Sequence, residues 1–241
     1  MKRLRVVALV AAALGAYFAG MVGLFEEMTP PRIVKTFSTN WAGYEARGRH
    51  PTMVSASWTV PPISSSRRAA AVSTWIGIGG TGHDIHLLQV GTGETTYNGI
   101  LARDAWLELW PALPQPLTHI GEPTDWIVPG DHVSATICSA GRTRWIIQFS
   151  DATQGWTFAT TVRFTLRRAR SAEWVTERPQ HGLLPRFTPA HFTHLRVARS
   201  GGRPVAPHHL SLVQMIPMYG STVTVGPVRH DAFTDSYVRS S

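Results

Sequence analysis

A single cysteine, Cys138, serves the whole chain. No internal disulfide can form, and no cysteine-built zinc site is available. Cys138 closes an alternating run through Val133, Ala135 and Ile137, where a small buried or edge thiol is expected. Lysine is almost as scarce, since every basic residue after Lys35 is an arginine. Those arginines are mostly scattered singly through strands and turns, with a cluster at Arg167-Arg168-Ala169-Arg170. The formal charge of +8 and pI near 10.5 raise the question of nucleic acid. No interleaved basic and aromatic motif of a nucleic-acid module is present, so no nucleic-acid partner is expected.

Catalytic signatures of several kinds are missing too. No Gly-x-Ser-x-Gly elbow offers a hydrolase-type serine. Eleven histidines include His83, His86 and the pair His208-His209, but none has a third ligand at a diagnostic spacing. No His-Glu-x-x-His segment exists, so neither metal nor cofactor is expected. Gly77 to Gly82 matches G-x-G-x-x-G in letters only. A dinucleotide site needs a helix after the glycines, whereas His83-Asp84-Ile85-His86 leads into another strand. These glycines read as a tight strand-to-strand turn.

Helical periodicity is also absent from Thr36 onward. Short alternating runs recur instead, separated by Gly, Pro, Asp and Ser. Val54, Ala56, Trp58 and Val60 line one face of the first, which Pro61-Pro62 ends. Others cover Ala71 to Ile78, His86 to Val90, Ala105 to Trp110, His132 to Cys138 and Arg144 to Ser150. The series continues with Trp156 to Leu166, Ala172 to Thr176, Phe192 to Val197, Leu210 to Met215 and Thr222 to Val225. About a dozen strands with turn signals between them predict a large antiparallel sandwich. At 241 residues, with 43% hydrophobic content and nine Trp, the chain suits one domain with a substantial core.

The N-terminus reads differently. Lys2, Arg3 and Arg5 precede an uncharged apolar run of 20 residues, Val6 to Phe25. That is the layout of a secretory signal or an apolar helical anchor with its positive end inside. The run is long enough to span a bilayer, and no good small-x-small cleavage site follows it. Residues 1–25 are therefore a signal peptide or signal anchor, 26–35 a linker and 36–241 the folded domain. The domain is expected outside the cell, secreted or tethered by residues 6–25 to the outer face of the membrane, as a monomer.

Two strands carry acids where sheet alternation gives them apolar company. In Ser171 to Pro179, Ala172 and Trp174 point one way, and Glu173, Val175 and Glu177 the other. A carboxylate among apolar neighbours is partly buried, its pKa rises, and acid–base chemistry becomes available. In Ala105 to Pro111, Leu107 and Leu109 must face the core, which puts Trp106, Glu108 and Trp110 together on the opposite face. Large aromatics away from the core are costly unless something docks there. Between Leu88 and Val90, Gln89 likewise points away from the core.

Four segments in order, Thr74-Trp75-Ile76-Gly77-Ile78, Leu87 to Gly91, Asp104 to Pro111 and Ala172 to Val175, resemble the glutamic peptidases, or eqolisins, of peptidase family A4. Ser38-Thr39-Asn40-Trp41-Ala42-Gly43-Tyr44 and Ser57-Trp58-Thr59-Val60-Pro61 resemble that family as well. The resemblance implies a lectin-like, concanavalin A-like sandwich of two antiparallel sheets. It also implies an exported endopeptidase acting on polypeptides, with Gln89 and Glu173 as the catalytic pair and no cofactor. Trp75, Trp106 and Glu108 match positions that line the family's substrate groove, and Trp110, on the same strand face as Trp106 and Glu108, would wall it as well. Glu173 would take a proton from water and return it to the leaving amine, while Gln89 stabilised the oxyanion.

Fungal members often carry Asp where this chain has Gly79, and they tend to be acidic proteins. Both departures bear on the implied acid-pH activity, since excess arginine could pull the Glu173 pKa down. Two alternatives remain open at this point. One is a non-catalytic lectin-like sandwich that binds glycan or peptide. The other is a glycosidase using Glu108 and Glu173 as its two carboxyl groups.

Overall fold

The computed structural model describes residues 32–48, 50–81, 85–117, 127–166, 169–179 and 182–240. The apolar run at 6–25 and most of the expected linker lie outside the described residues. Fifteen strands are described, and none of the described helical segments is long and apolar enough to cross a membrane. In chain order they are β1 (Arg32–Ser38), β2 (Trp41–Arg47), β3 (Pro51–Thr59), β4 (Ala70–Gly79) and β5 (Leu87–Tyr97). Then come β6 (Ile100–Trp110), β7 (Gln115–Pro116), β8 (His132–Ser139), β9 (Arg144–Asp151) and β10 (Trp156–Arg163). The last five are β11 (Ser171–Glu177), β12 (Ala190–Arg199), β13 (His209–Met215), β14 (Ser221–Val225) and β15 (Phe233–Arg239).

These strands form two sheets. The first has the order β1-β13-β2-β11-β4-β5-β6-β7, the second β10-β9-β8-β3-β12-β15-β14. The all-β reading therefore holds, with one correction. The pair β1–β13 is parallel, so the first sheet is not wholly antiparallel. β1 and β2 are joined by only two residues yet lie on either side of β13. The link crosses the end of β13, where Ser38 sits opposite Met215, and Ser38 O accepts from Ile216 N at 2.8 Å. Two strands that run in opposite directions and flank a third leave one of the two pairings parallel. Strand pairing also begins at Arg32, so the last residues assigned to the linker belong to the sheet.

The core lies between the sheets. The first sheet contributes Tyr44, Ile76, Ile78, Leu88, Val90 and Trp174, and the second Val54, Trp58, Ile137, Ile147, Phe149 and Phe192. Two indoles tie the layers by hydrogen bonds as well as area. Trp174 Nε1 donates to Ser55 O at 2.9 Å, and Trp58 Nε1 donates to Thr92 Oγ1 at 3.1 Å. A buried indole without such a partner would lose much of its packing gain to the unsatisfied N–H.

The glycine-rich segment is the end of the β4–β5 pair. Gly79 faces Leu87 across the ladder, and Gly80 N donates to His86 O at 2.9 Å. The next described element is strand β5 and not a helix, as the sequence implied. The β5–β6 pair extends much further than the two short runs read from sequence. It is a single hairpin of eleven-residue strands closed by Asn98-Gly99, both at positive φ. Asn-Gly suits this turn because its two central residues must adopt the left-handed conformation.

Candidate active site

Directly opposed residues of neighbouring antiparallel strands share a face of the sheet, and alternate residues face the other way. Across the first sheet one such row reads Ser211 (β13), Glu45 (β2), Glu173 (β11), Gly77 (β4), Gln89 (β5) and Glu108 (β6). The row beside it reads Val213, Gly43, Val175, Trp75, Gly91 and Trp106. Both rows lie on the face turned away from the core. Leu88 and Trp174, one residue along from Gln89 and Glu173, are fully buried between the sheets. The sheet thus brings Gln89, Glu108 and Glu173 onto one face, as the alternation argument requires.

Gly77 separates the two central side chains. Glu173 and Gln89 are both opposed to it, from β11 and β5. They are two strand spacings apart, roughly 10 Å between Cα atoms. A Cβ at Gly77 would lie 2.9 Å from both Leu87 Cδ1 and Trp75 Cζ3. Those two side chains overhang the glycine, and any larger residue there would have to displace them.

Glu173 is 0% exposed, Gln89 5% and Glu108 8%. Among the described residues, neither Glu173 oxygen has a hydrogen-bond partner at ordinary distance, although the Ser171 hydroxyl lies close enough to favour the ionised form. Burial pushes its carboxyl well above the ordinary value near 4.5, the Ser171 hydroxyl draws it back, and the Glu45 carboxylate pushes it up again. The expectation that excess arginine would depress this group is therefore overturned. The charges that reach Glu173 are local, and the nearest is negative. Complete burial also replaces the partial burial expected from sequence.

Gln89 Nε2 donates to Glu108 Oε2, and the Gln89 carbonyl oxygen has no partner among the described residues. Glu108 thus fixes which way the amide points. Burial raises the Glu108 carboxyl, the Gln89 contact lowers it, and Glu177 raises it. The Glu108–Glu173 glycosidase pair fits poorly, because these residues lie three strand spacings apart, roughly 14 Å at Cα, with Gln89 between them.

The aromatic residues form a floor more than walls. Trp75 is fully buried and Trp106 nearly so, packed with Leu87 and Val175 under a partly buried Trp41. Trp41 meets Trp75 edge-on, with ring centroids 5.0 Å apart. Trp110, expected beside them as a wall, is the one with substantial free surface, at 47% exposed. Gly91 between Trp75 and Trp106 permits the close fit, since a Cβ there would fall 2.4 Å from Trp75 Cβ. Trp75 is also pinned from one end, its Nε1 donating to Glu177 Oε2 at 2.8 Å. Asn40 Nδ2 donates to the other Glu177 oxygen at 2.9 Å, so Glu177 serves as an anchor for the floor.

Sequence reading missed three members of the central row, Ser211, Glu45 and Gly77. Glu45 was visible in principle: Ala42, Tyr44 and Ala46 alternate with Trp41, Gly43, Glu45 and Arg47, a strand pattern with two acceptable faces. Gly77 was read as part of a strand and of a glycine turn, with no role of its own. Among the described residues, no three His, Cys, Asp or Glu side chains could together hold a metal ion.

Comparison with known proteins agrees with this fold. A family model described as the Peptidase A4 family matches residues 39–237. Aspergillopepsin-2 of Aspergillus niger is 26% identical over 229 residues, 84% of this chain and 78% of that protein. Scytalido-glutamic peptidase, solved with a peptide-based transition state analog, shares the fold with a TM-score of 0.67 at 21% identity, over 83% of this chain and 99% of that one. Aspergilloglutamic peptidase from Aspergillus niger gives a TM-score of 0.57 at 25% identity, over 70% and 99% of the two chains.

Proposed function

The chain belongs to the peptidase A4 family and is a glutamic-type peptidase, and on that premise we propose that Glu173 and Gln89 form its catalytic pair. The observation that carries the reading is the row Glu173–Gly77–Gln89, a buried carboxyl and an amide facing one another across a residue without a side chain. A water admitted between Glu173 and Gln89, with the Leu87 and Trp75 side chains drawn back from Gly77, would be within reach of both. In its ionised form Glu173 accepts a proton from that water as the oxygen attacks the scissile carbonyl. The second Gln89 N–H, free of Glu108, donates to the developing oxyanion. The proton held by Glu173 then passes to the amide nitrogen as the C–N bond breaks, which restores the carboxylate.

Because Glu173 must lose a proton before it can act as base, the acid limb of kcat/KM follows its ionisation in the free enzyme. Burial places that limb above pH 4.5. The substrate is a polypeptide cleaved internally, lying along the face floored by Trp75 and Trp106 and edged by Trp110 and Glu108. The sandwich is of the lectin-like kind. One copy suffices, since every group of the row comes from one sheet of one chain. The basic, apolar N-terminal segment supports export, as a cleaved signal or as a tether that leaves domain 36–241 on the outer face.

Cleavage of denatured protein, scanned over pH, tests this. Glu173→Gln keeps the shape and removes the base, so turnover should fall by about 10²–10⁴-fold with the fold intact. Gln89→Ala should lose about 10²–10³-fold through the missing oxyanion donor. Full activity in folded Glu173→Gln overturns the assignment.

A further inference from the structure

Glu45 is the neighbour that no catalytic step above uses. It stands directly opposite Glu173 on the β2–β11 ladder and is almost wholly buried. Directly opposed side chains in such a pair have Cβ atoms about 5 Å apart. Two carboxyl groups so placed repel when both ionise, an arrangement that folding alone would disfavour. One cation offsets it: Arg47 Nε donates to Glu45 Oε2 at 2.8 Å, from a guanidinium side chain that is 53% exposed. The Arg47 backbone is fixed in turn, its carbonyl accepting from Arg199 Nη2 at 2.8 Å.

We propose that Glu45, oriented by Arg47, is a positioning residue of the reaction, which controls how firmly Glu173 holds its proton. This rests on Glu173 being the proton carrier. The surroundings leave Glu45 as the charge that matters. β4 presents only Gly77 to Glu173 in this row, and β13 presents only Ser211 on the far side of Glu45. On β11 itself the neighbours on this face are Ser171 and Val175. Glu177 lies further along, held by Asn40 and Trp75. Beyond Gly77 come the uncharged Gln89 and then Glu108, which is engaged by that amide. Arg47 is the cation that contacts this pair; its own row also holds the exposed His209, two residues before Ser211 on β13, and Arg32 opposite it at the sheet edge, both on the far side of Arg47 from Glu173. The position of Arg47, on Glu45 and not on Glu173, gives the pair a graded effect: Glu45 favours the protonated form of Glu173 and Arg47 moderates that influence.

The two side chains therefore act in opposite directions. Glu45→Gln removes the repelling charge, so the acid limb of the kcat/KM profile should move to lower pH by roughly one unit. Arg47→Gln leaves Glu45 uncompensated, so the limb should move to higher pH by a smaller amount. On the Glu45→Gln background, Arg47→Gln should have no further effect on the limb. Arg47 is largely exposed, so its substitution leaves a folded protein to measure if the buried Glu45 variant proves unstable. A structural role alone would lower activity at all pH values and leave the limb where it is. Shifts of the same sign, or a fixed limb in both variants, overturn the proposal. The Glu173→Gln control separates the two failures: if it is inactive while the limb stays fixed, Glu173 keeps its role and Glu45 loses its own.

Discussion

The two sheets use their outward faces differently. In the second sheet, β9 and β10 alternate between shielded and exposed residues, and their outward side chains meet water. In the first sheet, β4, β5 and β11 are buried on both faces along most of their length. The second sheet thus follows the usual rule for a half-covered antiparallel sheet, and the first breaks it. It does not do so by turning uniformly apolar. Its outward face buries Glu45, Glu173, Gln89 and Glu108 beside Trp75 and Trp106. Covering carboxyl groups costs stability, and here the cost falls where the proposed proton carrier, Glu173, stands.

One inward-facing carboxyl puts this contrast under strain. Asp235 of β15 belongs to the second sheet and is fully buried. Burial pushes its carboxyl up to about 8, and the Thr176 hydroxyl draws it back down. It sits among core residues, so its effect should be on stability alone. Below about pH 4 it is protonated whether the chain is folded or not. As pH rises towards 8 the unfolded chain ionises first, the folded state holds the extra proton, and stability falls. Over that window the loss is on the order of 5 kcal/mol. Glu94, buried on the inner face of β5, titrates in the same direction. Denaturant unfolding between pH 4 and 8 should show this decline, and Asp235→Asn should make it shallower without moving the catalytic pH profile. If Asp235→Asn moves that profile, the division between inner and outer faces fails.

Glu108 should behave in the opposite way and more mildly. Glu108→Gln retains a hydrogen-bonding group beside Gln89 but removes a charge, so turnover should persist, reduced by about tenfold, with little change in stability. Steady-state kinetics and thermal melts on the same preparation check both halves. A large stability loss with unchanged kinetics would make Glu108 a structural acid.

Much of this was legible in the sequence, because alternation is a period-two signal that needs only one strand at a time. Ala172 and Trp174 against Glu173, Leu88 and Val90 against Gln89, and Leu107 and Leu109 against Glu108 each fix a face without knowledge of the partners. What alternation cannot supply is register. Nothing in Trp41–Arg47 alone says that Glu45 will lie opposite Glu173, or that Gly77 will separate Glu173 from Gln89. The parallel β1–β13 pair joins segments near opposite ends of the chain and leaves no local trace. Trp75 was placed on the correct face, yet its burial depends on Trp41 and Glu177, which reach it from neighbouring strands. The β5–β6 hairpin was under-read although Asn98-Gly99 marked its turn, because the Gly and Thr residues of β5 conceal its apolar alternation.

The proposed role of Glu173 requires that it hold its proton as a buried carboxyl does. A ¹³C NMR titration of the glutamate side-chain carboxyl groups, with the Glu173 signal assigned by its loss in Glu173→Gln, measures this directly. Its midpoint should lie above 4.5 and coincide with the acid limb of the kcat/KM profile. A midpoint at or below the ordinary glutamate value, or one that does not track the activity, would contradict the central claim.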